Sequence, residues 1–222
     1  MLNAEGEVEL DASIMDGSNL AIGAVGAVKG LRHPISIARL LLAETPVLLV
    51  GDGAQRFAAR HGAERAETGP AGDPQGPSSP AADTVGCVAL DTSGHMAAGL
   101  STGGLSGKLP GRLGDTPLPG CGFYADDQEG GVAFSGDGES IARTLLAATV
   151  MQRLALEAPQ AALEASLRLG RVGGEAGGIA FSCDGRFGCA HTSEHFAVAL
   201  ASERVPLRAA VHQRDLQDLF HD

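Results

Sequence analysis

Four short stretches carry residues whose types and spacing suit chemistry. Thr84, in "AADTVGCVAL", opens a firm apolar run directly after a loose Pro- and Gly-rich stretch. A threonine hydroxyl is a weak nucleophile until a base sits beside it. Cleavage of the bond between Asp83 and Thr84 would supply one. The freed α-amine has an ordinary pKa of about 7.7–8.0 and lies next to the hydroxyl, the N-terminal-threonine form of the nucleophile–base pair. The plainer reading is a threonine starting a strand, where its β propensity suits it. "STGG", Ser101 to Gly104, ends the next apolar run, so an adjacent strand brings Thr102 near Thr84. "GRLGD" sets Arg112 and Asp115 three residues apart between glycines. Arg112 there suits a carboxylate fork and Asp115 an ammonium, so the two suit a zwitterion; a surface ion pair is the bland alternative. "SGDGES", from Ser135 through Gly136 and Gly138, turns from strand to helix. Its backbone N–H groups suit an oxyanion, or simply form a capped turn.

Two other patterns are weaker. "HTSEH", His191 to His195, has the spacing of inverted zinc peptidases. Its flanks read as strands, which would hold the two imidazoles about 13 Å apart, too far for one metal. The acidic turn "YADDQE" with Asp126, Asp127 and Glu129 suits calcium or a solvated turn.

The elements that must position these residues follow from periodicity. "GEVELDASIMDG" and "LAIGAVGAVKG" read as a hairpin, and "HPISIARLLLAETP" as a helix opened by Pro34 and stopped by Pro46. "VLLVGDGAQRFAARHG" reads as a buried strand, a Gly turn and a helix. Residues 63–82 hold four prolines and no periodicity, a flexible linker by composition. "TVGCVALD" and "HMAAGLSTGG" read as strands joined by "TSG". "KLPGRLGDTPLPGCGFYADDQEG" reads as a long irregular loop. "GVAFSGDGESIARTLLAATVMQRLALEA" reads as a strand running into one long helix, followed by a helix over "PQAALEASLRLG" and a closing hairpin. Hairpins with segregated helices predict a layered α+β domain, sheet on sheet with helices outside.

Bulk properties narrow the function classes. The chain has 222 residues, 44% hydrophobic and 19% charged, which suits a single globular domain over 1–222. A formal net charge of −11, no basic stripe and only 4% aromatics argue against nucleic acid. No apolar run reaches the roughly 18 residues that a spanning helix needs, so no membrane is expected. Cys87, Cys121, Cys183 and Cys189 form no CxxC pair and read as reduced, core-filling thiols in a cytoplasmic protein.

Taken together, "DTVGCVALDTSGHMAAGLSTGGLSGKLPGRLGDTPLPGCGFYADD" closely resembles the threonine-dependent N-terminal-nucleophile amidohydrolases: the plant-type isoaspartyl peptidase/L-asparaginases, glycosylasparaginase and threonine aspartase. "LNAEGEVELDASIMDG", "IGAVGAVKG" and "GAQRFAARHG" share the likeness, which covers nearly all of the chain except the linker. The resemblance implies an αββα sandwich made as a precursor that cuts itself, giving pieces 1–83 and 84–222 that stay together, with two such units pairing as a homodimer. It implies Thr84 as nucleophile and, through its new amine, base, with Thr102 holding it. It implies Arg112 and Asp115 as the grips on an aspartyl group, Ser135 and Gly136 as the oxyanion hole, and Gly138 shaping the pocket. The implied substrates are L-asparagine and β-aspartyl dipeptides, with no cofactor and no catalytic metal. Relatives usually carry Thr where this chain has Ser135, which predicts looser positioning. Asp83 is the residue found in glycosylasparaginase and threonine aspartase, which keeps a glycosyl-asparagine amidase as an alternative. The family also carries a first strand upstream of the segment matched by "LNAEGEVE". A chain starting at Met1 is therefore expected to show an open sheet edge, and an inactive member that never processes itself is the third reading.

Overall fold

The computed structural model describes residues 1–66, 84–167, 169, 171–203, 205–211 and 215. Five strands form the first sheet: β1 (Leu10–Asp16), β2 (Ala21–Val28), β3 (Leu48–Val50), β4 (Thr84–Leu90) and β5 (Met96–Thr102), in the order β3-β2-β1-β5-β4. Only the β2–β3 pair is parallel; the others run antiparallel. A second sheet has the order β6-β7-β8-β9, from β6 (Phe123–Asp126), β7 (Gly130–Gly136), β8 (Ala176–Ser182) and β9 (Phe187–His191). A short ribbon pairs β10 (Val198–Leu200) with β11 (Arg208–Ala210).

Three apolar clusters define four layers. Met15, Val88, Met96, Leu100, Phe123 and Ala133 fill the space between the sheets. On the outer face of the first sheet, α1 (Pro34–Leu41) and α2 (Gly51–Arg60) bury Ile37, Leu41 and Phe57 against Val25 and Val28. On the outer face of the second, α4 (Leu146–Leu154) and α5 (Pro159–Ser166) bury Leu146, Val150 and Leu163 against Val132 and Phe134. This is the αββα sandwich that the sequence implied. Each strand's alternation sends one set of side chains to the middle layer and the other to a helix layer.

Several elements differ from the sequence reading. β3 is half-buried to exposed rather than buried, because it is the last strand on its edge. The "irregular loop" contains β6, whose four residues alternate in burial and pair with β7. The "one long helix" is two, α3 (Gly138–Thr144) and α4, broken at Leu145 with φ 48°. The break aims the first amides of α4 at a neighbouring loop: Ala147 and Ala148 donate to the carbonyls of Cys121 and Gly120 at 3.0 and 2.9 Å. β9 stops at His191, so His195 stands on a loop beyond it. Residues 67–82 of the expected linker lie outside the described residues, but 63–66 are tied down. Arg65 bridges Leu31, and Ala66 donates to the Gly30 carbonyl. Cys121 and Cys189 are buried thiols, whereas Cys87 and Cys183 are exposed. No helix among the described residues is long and apolar enough to cross a membrane.

Candidate active site

The antiparallel pairing of β4 with β5 sets Thr84 directly across from Thr102. The two hydroxyls meet at 3.1 Å. Thr102 Oγ1 accepts from Thr84 Oγ1 and also accepts the Gly104 N–H at 2.9 Å. Thr102 is buried and Thr84 half-buried, so a reacting group can approach Thr84 but hardly Thr102.

The facing sheet brings the turn "SGDG" to the same place. A Cβ on Gly131 would lie 2.8 Å from Val88, and one on Gly86 would lie 3.2 Å from Ala133. Strands β4 and β7 therefore cross in opposite senses, Val88 over Gly131 and Gly86 over Ala133. One more step of two residues along each strand puts Thr84 opposite Ser135. Ser135 itself does not line the small cleft beside Thr84; Gly136 and Gly138 do, together with Thr102, Arg112, Asp115 and Thr116.

The Arg112–Asp115 loop is pinned to β1. The Gly111 N–H donates to Glu9 at 3.0 Å, and Ser13 Oγ donates to the Thr116 carbonyl at 2.6 Å. The two charges then part company. Arg112 forks onto Glu139, Nε to Oε1 at 2.8 Å and Nη2 to Oε2 at 2.5 Å, and not onto Asp115. Asp115 is 5% exposed, and its Oδ2 has no hydrogen-bond partner among the described residues. Burial pushes its pKa up to about 6, with the guanidinium of Arg112 pulling the other way. An orphaned, buried carboxylate oxygen costs free energy, and a cation placed against it relieves that cost. Gly138 keeps the approach open: a Cβ there would sit 2.8 Å from Asp115 Oδ1 and 3.2 Å from Arg112 Nη2.

Every site residue expected from the sequence except Asp83 and Ser135 lines one cleft; Asp83 lies outside the described residues. Sequence reasoning missed the polar layer beneath. Glu9, just before β1, and Asp11 and Ser13 on one face of it are all buried. Lys108, buried to 1%, donates to the Glu9 carbonyl at 3.2 Å and lies 3.8 Å from Asp11. Burial raises the Asp11 pKa, against the pull of the Ala27 N–H and Lys108. The available signal was the "VELDAS" alternation, which puts acids at positions of one parity. Glu139 was also missed, and nothing local in the sequence ties it to Arg112.

The residues of "HTSEH" and "YADDQE" do not join this cleft. His191 Nδ1 contacts the Ser193 carbonyl, and Asp127 pairs with His95 at the opposite end of β5.

The family profile described as Asparaginase matches residues 1–71 and 64–208. The chain belongs to the asparaginase family. Among its relatives, a probable isoaspartyl peptidase/L-asparaginase of Drosophila melanogaster is 34% identical over 232 residues, 88% of this chain and 70% of that protein. The isoaspartyl peptidase/L-asparaginase of Bos taurus is 44% identical over 66% of this chain and 53% of its own. The isoaspartyl peptidase of Salmonella typhimurium is 38% identical over 86% and 69%. The chain thus spans about half to 70% of the length of these asparaginase-family relatives.

Proposed function

We propose that this asparaginase-family chain is a self-processing amidohydrolase that releases L-aspartate from L-asparagine and from β-aspartyl dipeptides, with Thr84 as nucleophile. The observation that carries the reading is the cleft itself. A hydroxyl pair, Thr84 and Thr102, stands beside a buried carboxylate with a free oxygen and a guanidinium. An aspartyl group offers matching parts: an α-ammonium for Asp115, an α-carboxylate for Arg112, and a β-carbonyl left to reach Thr84.

The chemistry runs as acyl transfer. Thr84 Oγ first attacks the carbonyl of residue 83, the acyl group shifts from nitrogen to oxygen and so frees the Thr84 amine, and water then hydrolyses the ester to give the residue-83 carboxylate and restore the Thr84 hydroxyl. In turnover that amine takes the proton from Oγ as Oγ bonds to the β-carbonyl carbon. The oxyanion forms against backbone N–H groups of the Ser135–Gly136 segment. Collapse breaks the C–N bond, and the α-ammonium returns its proton to the leaving ammonia or peptide amine. Water then adds to the ester through the same amine and releases aspartate with Oγ protonated. Thr102, hydrogen-bonded to the Thr84 hydroxyl at 3.1 Å, holds Oγ in place for the attack. Two processed units pairing as a dimer belong to the same reading, on the strength of the family.

The test is product release from L-asparagine, a β-aspartyl dipeptide and glycosyl-asparagine by the purified chain and by Thr84→Ala. The reading predicts hydrolysis of the first two and none by the variant. Preferential hydrolysis of glycosyl-asparagine would reassign the substrate. Ammonia release from asparagine by Thr84→Ala would remove Thr84 from the mechanism.

A further inference from the structure

The Arg112–Glu139 fork uses only one side of the guanidinium. Glu139 takes Nε–H and one N–H of Nη2. The opposite edge, Nη1 with the second N–H of Nη2, keeps its donors. It is this edge that faces the cleft glycines: Nη1 and Nη2 are the atoms nearest to a Cβ built on Gly114, at 3.1 and 3.3 Å, and Nη2 lies 3.2 Å from one built on Gly138. Glu139 belongs to the other wall of the cleft, 27 residues away, on the first turn of α3. That turn is itself held. Asp137 caps it by accepting the Ser140 N–H, and the Asp137 N–H donates to the Glu175 carbonyl at 2.7 Å. A long, four-torsion side chain is thus clamped from a fixed point on the wall that carries Gly136 and Gly138.

We infer that Glu139 is a positioning residue: it holds the Nε–Nη2 edge of Arg112 so that the Nη1–Nη2 edge is presented to the α-carboxylate of an aspartyl substrate. The inference rests on the reading proposed above. Without the clamp the guanidinium keeps its charge but loses its orientation, and each binding event must immobilise it again. The transition state gains nothing that the bound ground state lacks, so the effect falls on binding and not on turnover. Glu139 is half exposed, so its ion pair contributes little to folding and the variant folds.

The experiment compares the purified wild-type chain with Glu139→Gln for KM and kcat on L-asparagine, inhibition by L-aspartate, extent of self-cleavage and melting temperature. The expected result is a KM raised on the order of tenfold, an inhibition constant for aspartate raised in step, and kcat unchanged within about twofold. Self-cleavage and melting stay as in the wild type. An unchanged KM overturns the inference. So does a lowered KM, which would make Glu139 a competitor for Arg112, and so does a fall in kcat and melting temperature together, which would make its role structural. Each of those outcomes leaves the amidohydrolase reading standing. A wild-type chain that hydrolyses no asparagine overturns both.

Discussion

The two sheets treat their outer faces differently. The second is roofed: Val132 and Phe134 on β7 disappear beneath Leu146, Val150 and Leu163 of α4 and α5. The first is roofed over β1, β2, β3 and part of β5, where Ile35 of α1 lies 3.8 Å from a Cβ built on Gly99. β4, the strand that begins with Thr84, lies at its edge, and among the described residues its substantial neighbours are β5, β7 and β8, with no helix among them. Val85 is 72% exposed, and Cys87 and Ala89 are exposed beside it. Helices therefore cover most of both sheets, and the reacting group begins the strand that they leave uncovered. The inner face of β4 still gains order from the middle layer, through Val88 against Gly131 and Gly86 against Ala133. The site is positioned from within and left loose from without.

Substitutions break or sharpen this contrast. Phe134→Ala removes a ring 1% exposed under the roof and should cost about 3–5 kcal/mol in urea unfolding. Asp115→Asn should act in the opposite sense. The folded-state pKa of Asp115 is raised to about 6 from an ordinary 3.8, so the native protein binds more protons than the unfolded chain between those values. Stability of the wild type then falls as pH rises through that window, and the amide avoids the loss. The variant should be about 1–3 kcal/mol more stable at pH 8, with the gain vanishing below pH 4, while losing amidase activity. By the same shift, wild-type kcat/KM should fall as pH drops through about 6, where Asp115 takes a proton and can no longer hold an ammonium. A flat profile down to pH 5 would separate Asp115 from substrate binding. Val85→Ala should change unfolding free energy by no more than about 0.5 kcal/mol, the mark of an uncovered surface. A loss as large as that of Phe134→Ala would mean that β4 has a cover after all.

What was legible in the sequence was local. Pro34 fixed the start of α1, the β4 and β5 runs with a three-residue turn fixed the Thr84–Thr102 pairing, and the Gly-flanked "GRLGD" marked a loop that meets the cleft. What was not legible depended on partners distant in sequence. Arg112 and Asp115 looked like a pair because they are three residues apart; packing of α3 against the loop gave Arg112 to Glu139 and left Asp115 bare. The break at Leu145 has no Gly or Pro to signal it, because the carbonyls of Gly120 and Cys121 supply the reason from another segment. β6 is too short to show its alternation without β7 beside it. The buried Lys108–Asp11 contact joins residues 97 positions apart by number, and burial of acids on β1 runs against the usual expectation that charges face water.

The most direct test of the central claim is the intact mass of the purified chain, fresh and after a day at neutral pH, beside that of Thr84→Ala. The account predicts two fragments from the wild type, divided between Asp83 and Thr84, and one uncut chain from the variant. A wild-type chain that stays whole, or a Thr84→Ala chain that divides at the same bond, would contradict it.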